Sequence, residues 1–163
     1  MTIDELTKYW HGHTMRYWPP EAVRHLGLSS EVVELLTRVG FPDDVDWTLT
    51  FPIPPAGLEN EQFIPIALDD QVPIAIDRRH ENEVWAMENG SATRFVNTTA
   101  KQFGECLVVY DRYRRSVVDA DEKQALLLVE QAREHFMLCD VRALSSPEAY
   151  WSVILEQMEQ GLL

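Results

Sequence analysis

Cysteine, basic residues and long apolar runs are all scarce in this chain, and each shortage closes off a class of protein. Two cysteines in 163 residues cannot staple a small secreted fold. Cys106 and Cys139 both fall inside expected helices, where a reducing cytosol keeps them as thiols among apolar neighbours. Fourteen Lys and Arg against 27 Asp and Glu leave a formal charge of -13. That field repels nucleic acid and anionic membranes and attracts basic partners, so direct DNA, RNA or membrane binding is not expected. No stretch approaches the ~20 apolar residues of a membrane span, and MTIDELTKYW has neither the basic nor the apolar region of a signal peptide; a cytoplasmic protein is expected.

Catalytic and cofactor motifs are missing as well. There is no GxGxxG, no P-loop and no GxSxG, and the seven glycines fall mostly at helix ends and turns. His11-Gly12-His13 is the nearest approach to a metal motif, but a closed zinc site needs four ligands and no companion pair at finger spacing exists, so it reads as a polar loop. His25, His80 and His135 are scattered, and neither cysteine lies in a Cys-x-x-Cys or a catalytic signature. No catalytic, cofactor-binding or metal residue is assigned, no cofactor is expected, and the chain reads as a binding protein, not an enzyme.

What is present is core material: 45% apolar residues, with five Trp, five Tyr and six Phe. At this length a single domain over 1–163 can bury roughly two thirds of its unfolded surface. Thr2 and Glu5 have capping-box spacing for a helix through Trp10. Trp18-Pro19-Pro20-Glu21 reads as a turn into a short helix. Ser30 is placed to cap a helix whose Val32, Leu35, Leu36 and Val39 share a face, with Gly40 as its left-handed stop. Then the texture changes. Runs rich in β-formers occupy Trp47–Phe51, Phe63–Leu68, Val72–Asp77 and Glu83–Met87 among frequent prolines, and Asp70-Gln71 fits a tight reversal between two antiparallel strands. Pro65 and Pro73 cannot donate to a ladder and must sit at edges, strand starts or bulges.

Helical period returns after Arg94-Phe95-Val96. Phe103, Cys106, Leu107, Tyr110 and Tyr113 form one stripe over about four turns, with Asn97 or Thr98 placed as cap. Asp121–Cys139 carries a second stripe of Ala125, Leu128, Ala132 and Phe136. Ser146-Pro147-Glu148 opens a last helix with Trp151, Ile154, Leu155 and Met158 inward and Gly161 as its stop. Helices, then strands, then helices predict an α+β fold, an antiparallel sheet covered on one face by helices.

The charge is uneven. Residues 41–90 hold eleven acids against Arg78 and Arg79, a net -9 of the total -13. Either this is a solvated strand surface or it is an anionic face that docks onto a basic protein groove. On the second reading the candidate partner contacts are Asp43, Asp44, Asp46, Asp69, Asp70, Glu81 and Glu83. Trp47 and Trp85 lie in the same region and are read as core residues, with Trp85 alternating with Met87 on a strand.

Leu36-Thr37-Arg38-Val39-Gly40-Phe41-Pro42 resembles the helix-end, Gly, apolar, Pro signature of SUKH immunity proteins. Val72–Asp77 followed by Glu83–Met87 is similar to the family's central hairpin, and Phe95–Thr99 with Phe103 and Cys106-Leu107 to its strand-to-helix passage. Trp151, Leu155–Met158 and Gly161-Leu162 match the pattern of the fourth SUKH group. The turns Asp69-Asp70-Gln71 and Arg79–Asn82 depart from the glycines common in that sheet. The resemblance implies a non-enzymatic α+β immunity protein encoded beside a secreted toxin, often a nuclease or a nucleic-acid deaminase, which it blocks by occluding the active site. No catalytic residues carry over. An intracellular adaptor or regulatory scaffold with the same fold is the alternative.

Overall fold

Helix caps set the first elements of the computed structural model, which describes residues 1–43, 45, 48–53, 58 and 61–162. The Thr2 hydroxyl accepts from the Glu5 amide at 3.2 Å and the Thr2 amide donates to Glu5 Oε2 at 2.6 Å, so the expected capping box opens α1 (Ile3–Tyr9). The Trp18-Pro19-Pro20 turn leads into α2 (Pro20–Val23). Helix α3 (Ser30–Glu34) is capped by Ser29, not Ser30; Ser29 is still extended and its hydroxyl accepts from the Val32 amide at 3.3 Å. It runs on into a π-helical turn, Leu35–Val39, which buries Leu35, Leu36 and Val39 together.

Gly40 ends that turn, although not in the left-handed helical region. Its φ of 71° and ψ of -170° belong to backbone that essentially only glycine adopts. A Cβ there would lie 2.5 Å from the Arg16 carbonyl oxygen. The tightness follows from the next pairing, of β1 (Met15–Arg16) with β2 (Phe41–Pro42).

The main sheet is antiparallel throughout, in the order β3 (Leu49–Thr50), β4 (Phe63–Asp69), β5 (Val72–Asp77), β6 (Glu83–Glu88), β7 (Ser91–Asn97). The expected first strand is shorter than the run Trp47–Phe51, and Trp47 lies outside the described residues. Asp70-Gln71 is the predicted two-residue reversal, with Asp70 at φ 53°. Its short polar side chain tolerates that backbone. Pro65 sits at a register shift, and Pro73 lies just outside the β5–β6 ladder, which begins at Ile74. Strand β7 was not among the expected runs. Two bulges against β6 break its alternation, and its first three residues are exposed.

One face of the sheet presents Ile64, Ile66, Ile74, Ile76, Val84, Ala86 and Val96, all buried against the helices. Helix α4 (Ala100–Val117) is capped by Thr99, whose hydroxyl accepts from the Gln102 amide at 3.2 Å, and at 18 residues it is about a turn longer than expected. Helix α5 (Glu122–Cys139) opens on an Asp121–Gln124 capping box and buries Val129, Ala132 and Phe136, with Leu128 partly buried beside them. Ser146 and Pro147 form a turn ahead of α6 (Tyr150–Glu159) instead of its first residues; Trp151, Leu155 and Met158 face inward and Gly161 follows at φ 66°. The expected α+β architecture, with helices at both ends of the chain flanking the sheet, is the one observed.

A buried polar hub ties these layers together. Asn97, fully buried, accepts from Trp151 Nε1 at 2.8 Å and donates to Asp140 Oδ2 at 3.2 Å. Asp140, 4% exposed, also accepts from the Thr98 amide at 2.7 Å, the Thr98 hydroxyl at 3.1 Å and the Arg142 amide at 3.0 Å. Asn97 is therefore a strut between β7, the end of α5 and α6, and not a helix cap. Trp151 stacks on Phe136 with ring centroids 4.7 Å apart, so its indole both packs and bonds.

Two substitutions test these constraints. Asn97→Leu strands the Trp151 donor and should lower stability by roughly 1–3 kcal/mol, read as a lower urea midpoint at unchanged slope. Gly40→Ala should cost on the order of 1–3 kcal/mol from backbone strain alone, and a melting temperature equal to wild type would refute the strain.

Candidate partner-binding surface

Strand order divides the acidic region. In this meander the β4–β5 turn (Asp70-Gln71) and the β6–β7 turn (Asn89-Gly90) lie at one end of the sheet, and the β5–β6 turn (Arg78–Asn82) at the other. Six-residue strands hold the two ends ~20 Å apart. Asp69 and Asp70 therefore stand at the first end, with Glu88 beside them, and Glu81 and Glu83 at the second. Asp43 is placed by β2 and pairs with Arg16 at 2.5 Å. Asp44 and Asp46 lie outside the described residues. The five described acids among the seven singled out in the sequence do not form one cluster.

Their surroundings differ too. Asp69 accepts from the Tyr150 hydroxyl at 3.1 Å, whereas Asp70 is exposed on its turn. Neither turn at that end carries a base. At the other end Glu83 binds Arg142 Nη1 at 2.6 Å and accepts from Trp85 Nε1 at 3.1 Å, and Arg78, Arg79 and Arg142 offset Asp77, Glu81 and Glu83. Net negative charge is thus concentrated at the Asp69–Asp70–Glu88 end.

Trp85 is not a core residue. Register aligns Pro65 with Ala75, Ala75 with Trp85, and Trp85 with Phe95, one row across four strands on the face away from the helices. Pro65, Trp85 and Phe95 are half-buried there, and none of the row belongs to the helix-packed core. The Trp85 and Phe95 rings meet edge to face at 5.3 Å, and the Arg142 guanidinium lies 4.4 Å from the Phe95 centroid. The alternation of Trp85 with Met87 is correct, but both point to the outer face. Sequence reasoning missed Phe95 and Arg142 as members of this surface; the ten-residue spacing of Pro65, Ala75, Trp85 and Phe95 is the signal that, once the turns are known, finds the row.

The sheet is thus backed by helices on one face, and its outer face combines half-buried aromatics with an acidic end. The model of the SUKH-4 immunity protein family matches residues 2–157, and the chain belongs to that family. No curated protein and no solved structure matches it. Among the described residues no helix is long and apolar enough to cross a membrane, and no three His, Cys, Asp or Glu side chains converge as a metal site.

One acid of the region is structural. Asp77, 2% exposed, accepts from Gln62, from the Arg79 amide at 2.9 Å and from His80 Nδ1 at 2.6 Å. Burial works to raise its pKa, but the bonds from His80, Arg79 and Gln62 prevail and hold it below the ordinary 3.8. The Asp77 hydrogen bond and charge raise His80 above the ordinary 6.5. Stabilisation from the raised imidazole is complete below its unfolded value and is lost as pH rises through the higher folded one. Stabilisation from the lowered carboxyl is present above its unfolded value and is lost as pH falls through the lower folded one. The contact is therefore at full strength between the two ordinary values, 3.8 and 6.5. Thermal melting of wild type should show a small loss as pH rises above the ordinary imidazole value of 6.5 that His80→Gln abolishes; an unchanged profile in the variant would refute the pairing.

Proposed function

We propose that this immunity protein neutralises a cognate bacterial toxin domain by stoichiometric binding that covers the toxin's active site, and that the toxin acts on nucleic acid as a nuclease or deaminase. The observation that supports this reading is the acidic end of the sheet, whose two turns carry Asp70 and no base, on a member of an immunity family. Enzymes that act on nucleic acid need basic grooves, and an anionic protein surface competes for such a groove electrostatically. The inhibitor works in the cytoplasm of the producing bacterium, by binding and without turnover. Among the candidate contacts, Asp70 and Glu81 are exposed and free to meet Lys or Arg of the toxin, while Asp43, Asp69 and Glu83 would contribute from within their existing bonds. Asp44 and Asp46 extend the same charge along the chain.

The test is binding to the toxin domain encoded beside the gene, measured at several salt concentrations together with protection of cells that express it. Exposed charges act chiefly on association, and the Debye length shortens from ~10 Å at 0.1 M to ~3 Å at 1 M. Asp70→Asn combined with Glu81→Gln should slow association several-fold at low salt, flatten its salt dependence and leave thermal melting unchanged. Association and salt slope equal to wild type would remove the electrostatic part of the proposal, and failure of the wild-type protein to bind or protect would remove the whole.

A further inference from the structure

Beside the aromatic row, the outer sheet face holds a groove of about 590 Å³ that runs from Glu61 and Phe63 across Pro65, Pro73, Ala75 and Met87 to the Asn89-Gly90 turn. Its floor is apolar, its lining includes Glu61 and Glu88, and no Lys or Arg lines it. Ala75 and Met87 are buried, yet they lie outside the helix-packed core, so their cover comes from this face. Continuous with the groove are Trp85 and Phe95, residue types that anchor interfaces when they fill a desolvated centre.

From this we infer that the outer face of β4–β7 is the docking face for the toxin domain, which inserts an apolar side chain over Pro65, Ala75 and Met87 and sets Lys or Arg against Glu61 and Glu88. The inference rests on the immunity reading above and specifies its surface. Charge complementarity decides the occupant: an acid-rimmed, base-free apolar groove on a chain of net charge -13 repels a second copy of itself and accepts a basic partner. Size adds a condition. The four-stranded row spans ~14 Å and the strands ~20 Å, about 300 Å² in plan, whereas a stable interface takes ~800 Å² per partner. The turns at both ends must therefore join the contact, and this brings Asp70 and Glu81 to the rim of a single footprint. The rival surface is the outer side of α5, where Leu127 and Leu138 are 56% and 82% exposed. Glu130 and Glu134 stand between those two leucines along the helix, and α5 has no aromatic anchor on that side.

The experiment uses the full chain and the neighbouring toxin domain. Trp85→Ala should weaken binding about 30-fold or more, the scale of a central anchor. Glu61→Lys with Glu88→Lys, both exposed and therefore harmless to the fold, should slow association and lose cell protection. Leu138→Lys should change neither. Hydrogen exchange on the wild-type complex supplies a readout independent of any variant's stability, with protection expected in peptides covering β4 to β7. Full affinity in the Glu61/Glu88 double variant, or protection confined to α5, would overturn the docking face while leaving the immunity reading standing; no binding by wild type would overturn the reading itself.

Discussion

The hydrogen bond from the Trp151 indole to Asn97 is the contact on which the layering depends. Asn97 closes β7 and is fully buried, so its amide must be satisfied inside the protein. Two segments distant in sequence and one nearby meet that demand: α6 supplies a donor, the residue after α5 supplies a carboxylate, and the adjoining α4 supplies the Cys106 sulfur at 3.4 Å. Because Asp140 also accepts from Thr98 and Arg142, the same carboxylate fixes where β7 turns into α4 and where α5 turns back toward the sheet edge. Arg142 is thereby carried to Phe95 and Glu83. A buried polar network thus orients a surface residue on the opposite face.

Polarity is sorted between the faces of the sheet. The inner face is aliphatic apart from the Asn97 hub. The outer face mixes proline, aromatic rings, methionine and acids, and its charges differ from one end to the other. On this face the apolar residues partly shield one another, Trp85 meeting Phe95 and Ala75 lying between two neighbouring strands.

Local chemistry was legible in the sequence. The Thr2–Glu5 box, the Asp70-Gln71 turn, the α5 and α6 stripes and the stop at Gly161 each depend on residues a few positions apart. The misplacements occur where neighbours share a competence and tertiary demand selects among them. Asn97, Thr98 and Thr99 can all cap a helix; Trp151 and Asp140 claim the first two, and Thr99 caps. Ser29 and Ser30 differ only in which is still extended. The end of β7 was expected only through the family's strand-to-helix passage, its earlier residues were hidden by bulges, and Trp85 by a feature that alternation never encodes: period two separates the faces of a strand without saying which one the helices cover. The density of acid between residues 41 and 90 was readable, while its division between two ends of a sheet required the register.

The reach of the Asn97 contact also sets a schedule. Trp151 follows Asn97 by 54 residues, so a ribosome adding ~5–20 residues per second makes the donor roughly 3–11 s after the acceptor. Cys106 and Asp140, the partners of the Asn97 amide, are made earlier; the Asn97 carbonyl alone waits for Trp151. The hub is therefore complete only once α6 has been made, and a short late helix, not an early one, supplies its final bond.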